Sequence, residues 1–564
     1  MKLSIVSDGK PPSSRALHKA VRAVLLSFLI IFVCASAFCG CVSADTDGDV
    51  TISTDDPTNW TYLVENLSSD KSKVTVTLEC DIYNNKFWTG GPAVLNGLAA
   101  INISSGDKTL NLNGHNIFLG NATKNDYNIL FNVTNGSKFT IMNSGAGENN
   151  ISANVTNMIG VWSGGNFTLG KNVNLTTYGK PNGLDGKQNC MVIAIQGQNK
   201  DAADISYVKL EKGSTVCNYA DFDNLFAIVI VQDGFLSSNE IGPAYGVNLE
   251  ISGNVTGHRG IWLNGMANDV EHYPNITINN GAFIDADKGC AVYASGYGNW
   301  IFENGCKLNG TEALSIRSGK FTIKGGEFIG KGKYYDTPKK QGSEGDSGVD
   351  MGNAYFSGAA ISIVNDSDTK TNYAGNVNIS IEDGTFTSDN GHAFLESSLK
   401  SMSALGEGIT ITGGKFITHA ELYPINISNI EEKPVSVTLN EKTPCYPGLN
   451  TSWFRWAKGN EESWTVTVKE EITNLDCINL THIDVGKTAT LNLNGKEIKS
   501  EEKGNLLGWN NSTENGNVID VKQTDSTVFE GKKAYYPLFG YYVTFNNSSG
   551  SCTGTMENQS FVNG

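Results

Sequence analysis

Asp285 and Asp287 stand two residues apart in the string IDADKG, and His258 and Arg259 stand together about one repeat earlier in the chain. Carboxylates beside an imidazole and a guanidinium are the parts of general acid–base chemistry, in which one group takes a proton, another returns it and a cation steadies developing charge. Two positions along a strand put both carboxylates on one face. Charged turns are ordinary, however, and a solvated turn is the commoner reason for so loose a spacing. A second constellation is aromatic: Trp262, Tyr293, Tyr297 and Trp300. Exposed rings in a row stack on the apolar C–H face of sugars. The competing reading places alternating aromatics in a core. No CxxC occurs and no His sits near a Cys pair, so no zinc site, other metal or cofactor is expected.

Short strands must position these residues. From Val247 to Phe416 one unit recurs as ITINNGAF, FTIKGGEF, ISIEDGTF and ITITGGKF: alternating Ile/Val/Thr, a Gly-containing turn, then an aromatic. Between the copies lie the apolar runs GIWL, CAVYA, ALSIR, AAISI and HAFLE. Strands this short cannot bury a face alone and must stack on copies of themselves, as a solenoid does. Steps of roughly 20 to 30 residues are the length of one coil in a right-handed parallel β-helix, so the expected class is all-β. The 63 Gly and 62 Asn supply the left-handed corners such a fold needs.

TLNLNG, NGAF, GGEF, DGTF and GGKF in an Asn-rich, exported chain resemble the pectate-lyase-like β-helix of adhesin-like surface proteins, over roughly residues 100–420. That resemblance implies a fold that serves polysaccharide lyases, glycoside hydrolases, glycan-binding proteins and adhesins alike. A lyase on it needs clustered acids for calcium and a basic residue to take the proton, and a hydrolase needs a carboxylate pair. The chain after residue 44 has three Arg, at 259, 317 and 455, none in such an acidic cluster. The Asp-Asp pair of polygalacturonase-like hydrolases is met only at Asp55-Asp56, outside the repeat, with no Gly-His-Gly or Arg-x-Lys.

Residues 1–44 join a basic start to an apolar run ending in Val-Ser-Ala, which reads as a secretory signal cleaved after Ala44 or as an uncleaved anchor, with lipidation at Cys41 a third reading that Phe38-Cys39-Gly40 fits poorly. Membrane contact is expected only there, and the rest outside the cytoplasm. Eight Cys remain, with Cys190–Cys217 and Cys290–Cys306 close enough in sequence to be disulfide-bonded neighbours, against buried free thiols as the alternative. Asn-x-Ser/Thr occurs 23 times, against about ten by chance. The excess suggests N-glycans at sites such as Asn102, Asn121, Asn132, Asn154, Asn166, Asn254, Asn275, Asn309, Asn378 and Asn479. A net charge of −16 argues against nucleic acid as a partner.

The expected layout is a cap over 45–105, the β-helix over 106–430 with loops at 176–204 and 215–245, within which Phe226–Val231 reads alternatively as a buried strand, and a shorter C-terminal β module over 431–564. TLNLNG at 109–114 returns at 490–495, each time after a Val/Thr strand, which marks a duplication. The functional reading is a non-catalytic protein for adhesion or glycan binding, its partner a polysaccharide or the surface of a host or neighbouring cell. A carbohydrate-active enzyme is the alternative, and a structural envelope element the third reading.

Overall fold

The computed structural model describes, between residues 48 and 439, the strands and the short corners joining them. The longer connections in that span, residues 1–47 and 440–462, and several stretches after 468 lie outside the described residues. The chain is a right-handed parallel β-helix with three long sheets. Face A has 16 strands, face B 11 and face C 12. One coil shows the path: Val247–Ile251 on A, Asn254–Gly257 on B, Arg259–Leu263 on C, then Asn275–Ile278 on A again.

Each strand alternates inward apolar and outward polar residues, and parallel register stacks like on like. On face A the inward column runs Ile251, Ile278, Phe302, Ile323, Ile381, Ile411, all fully buried. On face B, Phe328, Phe386 and Phe416 stack inside the helix with centroids 5.1 and 4.7 Å apart. Each such side chain removed from water contributes about 1.5 to 3 kcal/mol. Three of the four repeat copies therefore span face A, a corner and face B, ending on an inward Phe. The fourth differs: in ITINNGAF, Ala282 and Ile284 are buried and Phe283 points outward. Its corner is one residue longer, which reverses the parity of everything after it. The shorter corner needs glycine at Gly326, where φ is +108° and a Cβ would meet Cys306 Sγ at 2.7 Å.

The parallel register begins at Val50–Ile52, and the helix Asn59–Leu67 buries Trp60, Leu63 and Leu67 against the first coils. The stretches expected as loops contain regular strands, Val173–Tyr178, Met191–Gln196 and Thr215–Tyr219, and the buried strand read as an alternative at Phe226–Val231 is present as Phe226–Ile230. Alternation is hidden there because Met191–Gln196 and Phe226–Ile230 are buried on both sides. The repeated string pairs identically in both places, Val76 with Leu110 and Val466 with Leu491. After the second copy the sheet turns antiparallel, Thr488–Asn492 pairing with Ser526–Glu530. The expected disulfides are not formed: Cys80, Cys217, Cys290 and Cys306 are not disulfide-bonded. Cys290 precedes a face C strand whereas Cys306 lines the A–B corner, so adjacent coils do not bring them together. Cys190, Cys445, Cys477, Cys552 and residues 1–44 lie outside the described residues. Among those described, no helix is long and apolar enough to cross a membrane.

Candidate functional site on face C

The corners from A to B are short; the longest in the main helix is 143–148. The chain instead inserts 179–190, 231–246 and 331–360 on the two sides of face C. Long connections around a rigid sheet are where binding and catalysis concentrate.

The outward side of face C carries a dense patch. Arg259, Cys290 and Glu312 follow one another at the entry edge of successive coils, linked by Gly260 N–H donating to Cys290 O at 3.1 Å and Ala291 N–H to Glu312 O at 3.0 Å. Beside them runs the column Val229, Trp262, Tyr293, Ser315, Ser362. Phe226, Trp262 and Tyr293 form a continuous aromatic stack, with centroid distances of 5.4 and 6.3 Å. Trp262 is half-buried, and its Nε1–H donates to Ser295 Oγ at 2.9 Å, which fixes the indole. The Arg259 guanidinium lies 5.8 Å from the Phe226 ring centre, and that of Arg317 lies 5.8 Å from Tyr293. Cations against ring faces are attracted by the ring quadrupole, more strongly when desolvated, and both Arg are at most 3 % exposed.

Glu312 is fully buried. Its Oε1 accepts from the Ser357 N–H and hydroxyl, both at 2.7 Å, and its Oε2 accepts from the Ser362 hydroxyl at 2.7 Å. Burial raises its carboxyl above the usual value, opposed by those hydrogen bonds and one from Ser315. Burial, then the Glu312 charge, also pushes the Cys290 thiol well up, against Arg259 and Arg317. Phe226 and Tyr293 are at most 3 % exposed, so Trp262 is the ring of this stack that a ligand can reach.

The expected acid–base cluster forms only in part. His258 Nδ1 lies 2.8 Å from Asp287 Oδ1, and Lys288 Nζ lies 3.2 Å from His258 Nε2, at the exposed B–C corner. Asp285 stands on the outer side of face B between Thr256 and Asn309. Arg259 leaves this group for face C, because the chain turns the B–C corner at His258. The aromatic quartet also divides. Trp262 and Tyr293 stack as described, whereas Tyr297 packs edge-on against Tyr273 at 5.2 Å. Trp300 does not join an outer ladder: it is fully buried in face A, stacked on Phe302 and Phe321. Its register partner Ile276 is inward, and parity carries Trp300 with it.

A concavity of about 690 Å³ lies away from face C, at the A–B corner among Lys307, Glu327, Asp383 and Lys415. Its Glu327 is held by Lys307 at 2.8 Å. Among the described residues no group of His, Cys, Asp and Glu is arranged to hold a metal ion.

Sequence reasoning missed Phe226, Cys290, Glu312, Ser315, Arg317, Ser357 and Ser362. The available signal was a charge flanking an apolar strand, as in RGIWL and EALSIR, with two of the three Arg after residue 44 in those strings. Compared with known proteins, the chain matches no family model, no curated protein and no solved structure.

Proposed function

We propose that this chain is an exported, non-catalytic β-helix surface protein that binds a polysaccharide, or the glycan coat of a host or neighbouring cell, through face C. The observation that carries this reading is the stack of Phe226, Trp262 and Tyr293 across successive coils, flanked by Arg259 and Arg317. Rings fixed by packing lose little entropy when a sugar face lands on them. The acidic net charge of −16 fits a neutral or cationic ligand better than a polyanion.

The test is binding of residues 45–564 to immobilised plant, microbial and host glycans, with and without calcium, reading product release in the same wells. Saturable retention that weakens in Trp262→Ala, without new chain ends, is the expected result. Release of reducing or unsaturated ends would replace binding by catalysis. Retention unchanged by Trp262→Ala would move the site off face C.

A further inference from the structure

The strands sort the sequons by face. On face A, Asn166, Asn275 and Asn378 lie in one outward column, joined through Tyr207, Asn248, Asn299 and Lys320. Successive members are three coils apart, about 14 Å at the usual strand spacing. On face B, Asn150, Asn174 and Asn254 share a column through Thr215. In every case the Ser or Thr two residues on shares the outer side, because strand parity repeats every second residue. These asparagines are half-buried, or exposed at Asn275.

The remaining candidates are placed differently. Asn132 is 1 % exposed on face C and donates through Nδ2 to Asn102 Oδ1 at 2.7 Å, Asn102 itself being half-buried. Asn154 and Asn309 are buried at the ends of face B strands. The side chains of Asn121 and Asn479 lie outside the described residues. Between residues 157 and 360 the face C strands and the segments joining them to A and B hold nine asparagines, none of which starts a sequon; the face C sequons lie towards its two ends, at Asn102 and Asn132 and at Asn365 and Asn426. The strands and corners of A and B in the same span carry five sequons, at Asn166, Asn174, Asn254, Asn275 and Asn309.

We infer that faces A and B are the main sugar-bearing exterior of this protein, and that the part of face C bearing Phe226, Trp262 and Tyr293 is kept free of N-linked glycan for its partner. The second half rests on the binding reading above; the first half does not. The donor is an oligosaccharide on a polyprenyl phosphate or pyrophosphate. The side-chain nitrogen of asparagine bonds to the anomeric carbon, the bond from that carbon to the phosphate oxygen breaks with its electron pair, and the amide proton passes to a base of the transferring enzyme. Asn166 and Asn254 have room for this at the surface. A glycan on Asn132 would have to break its bond to Asn102 and leave a fully packed site.

Glycopeptide mass spectrometry on the full protein purified from its own source tests the assignment. Sugar is expected on Asn166, Asn254, Asn275 and Asn378. Asn150 and Asn174, on adjacent coils, should rarely be occupied in the same molecule. At the level of the single site, Asn132, Asn154 and Asn309 should be bare. Unmodified face A and B sites, or sugar on Asn132, would overturn the inference. A protein that binds its glycan array yet carries no sugar defeats this inference alone; glycosylated faces A and B with no array binding defeat the binding reading and leave the sugar map.

Discussion

Trp262 and Tyr293 lie on neighbouring coils of face C with ring centres 6.3 Å apart and planes inclined by 22°. Parallel pairing of Trp262 with Tyr293 sets this arrangement, and the bond from Trp262 to Ser295 holds it. Trp262 is the half-buried member, so it is the ring through which a ligand meets the stack. Trp262→Ala should weaken glycan retention about tenfold, the scale of one aromatic contact and its desolvation. Circular dichroism and Tm should change little, and a large fall in Tm would show that the ring is structural.

Phe386 sits between Phe328 and Phe416, at 5.1 and 4.7 Å. Phe386→Ala opens a hole in the middle of that column and should cost about 3 to 5 kcal/mol. In a solenoid each coil leans on its neighbours, so the loss should concentrate in nearby coils. Hydrogen exchange should quicken in Val377–Ile381 and Lys415–Thr418 while Lys138–Met142 is unaffected. Uniform loss of protection along the helix would contradict this.

Glu312 has a pH signature. Burial holds its carboxyl above the usual 4.5, so the folded chain binds this proton more tightly than the unfolded chain. The stability contributed is complete below about pH 4.5 and is lost as pH rises through the raised folded value. Glu312→Gln is uncharged throughout and should show a flatter curve of Tm against pH over that rise. A Tm difference between the two proteins that stays constant with pH would rule the account out.

Cys290 is fully buried with its thiol well above the usual value, and burial raises Cys306 to about 12. The thiolate is the reactive form, so neither should react in the native protein. Cys80 is half-buried. Iodoacetamide followed by peptide mapping should therefore label Cys80 well before Cys290 or Cys306, which should react only once the chain unfolds. Early labelling of Cys290 would mean that the face C patch opens to solvent.

Much of the scaffold is legible in the string of residues. Ile379 and Ile381 announce their inward side by alternation with Ser380, and Phe386 by its fixed distance from them. The same logic fails where a corner gains one residue, as before Phe283, and where both sides of a strand are covered, as at Met191–Gln196. Trp300 misleads for a related reason, since an aromatic beside Asn and Gly reads equally well as exposed.

The candidate site is another matter. Arg259, Cys290, Glu312 and Ser357 are spread along the chain, and their neighbours in sequence give no hint that they meet. Parity within a strand is local and is written every second residue, so the sequence by itself determined the coil, its inward columns and the all-β class. Which outward residues share a patch depends on the register between coils, and each connection of different length resets it. That register is fixed only when whole coils stack and their backbone hydrogen bonds close, so the tertiary structure alone decided that two Arg, a buried Glu and an aromatic stack share face C.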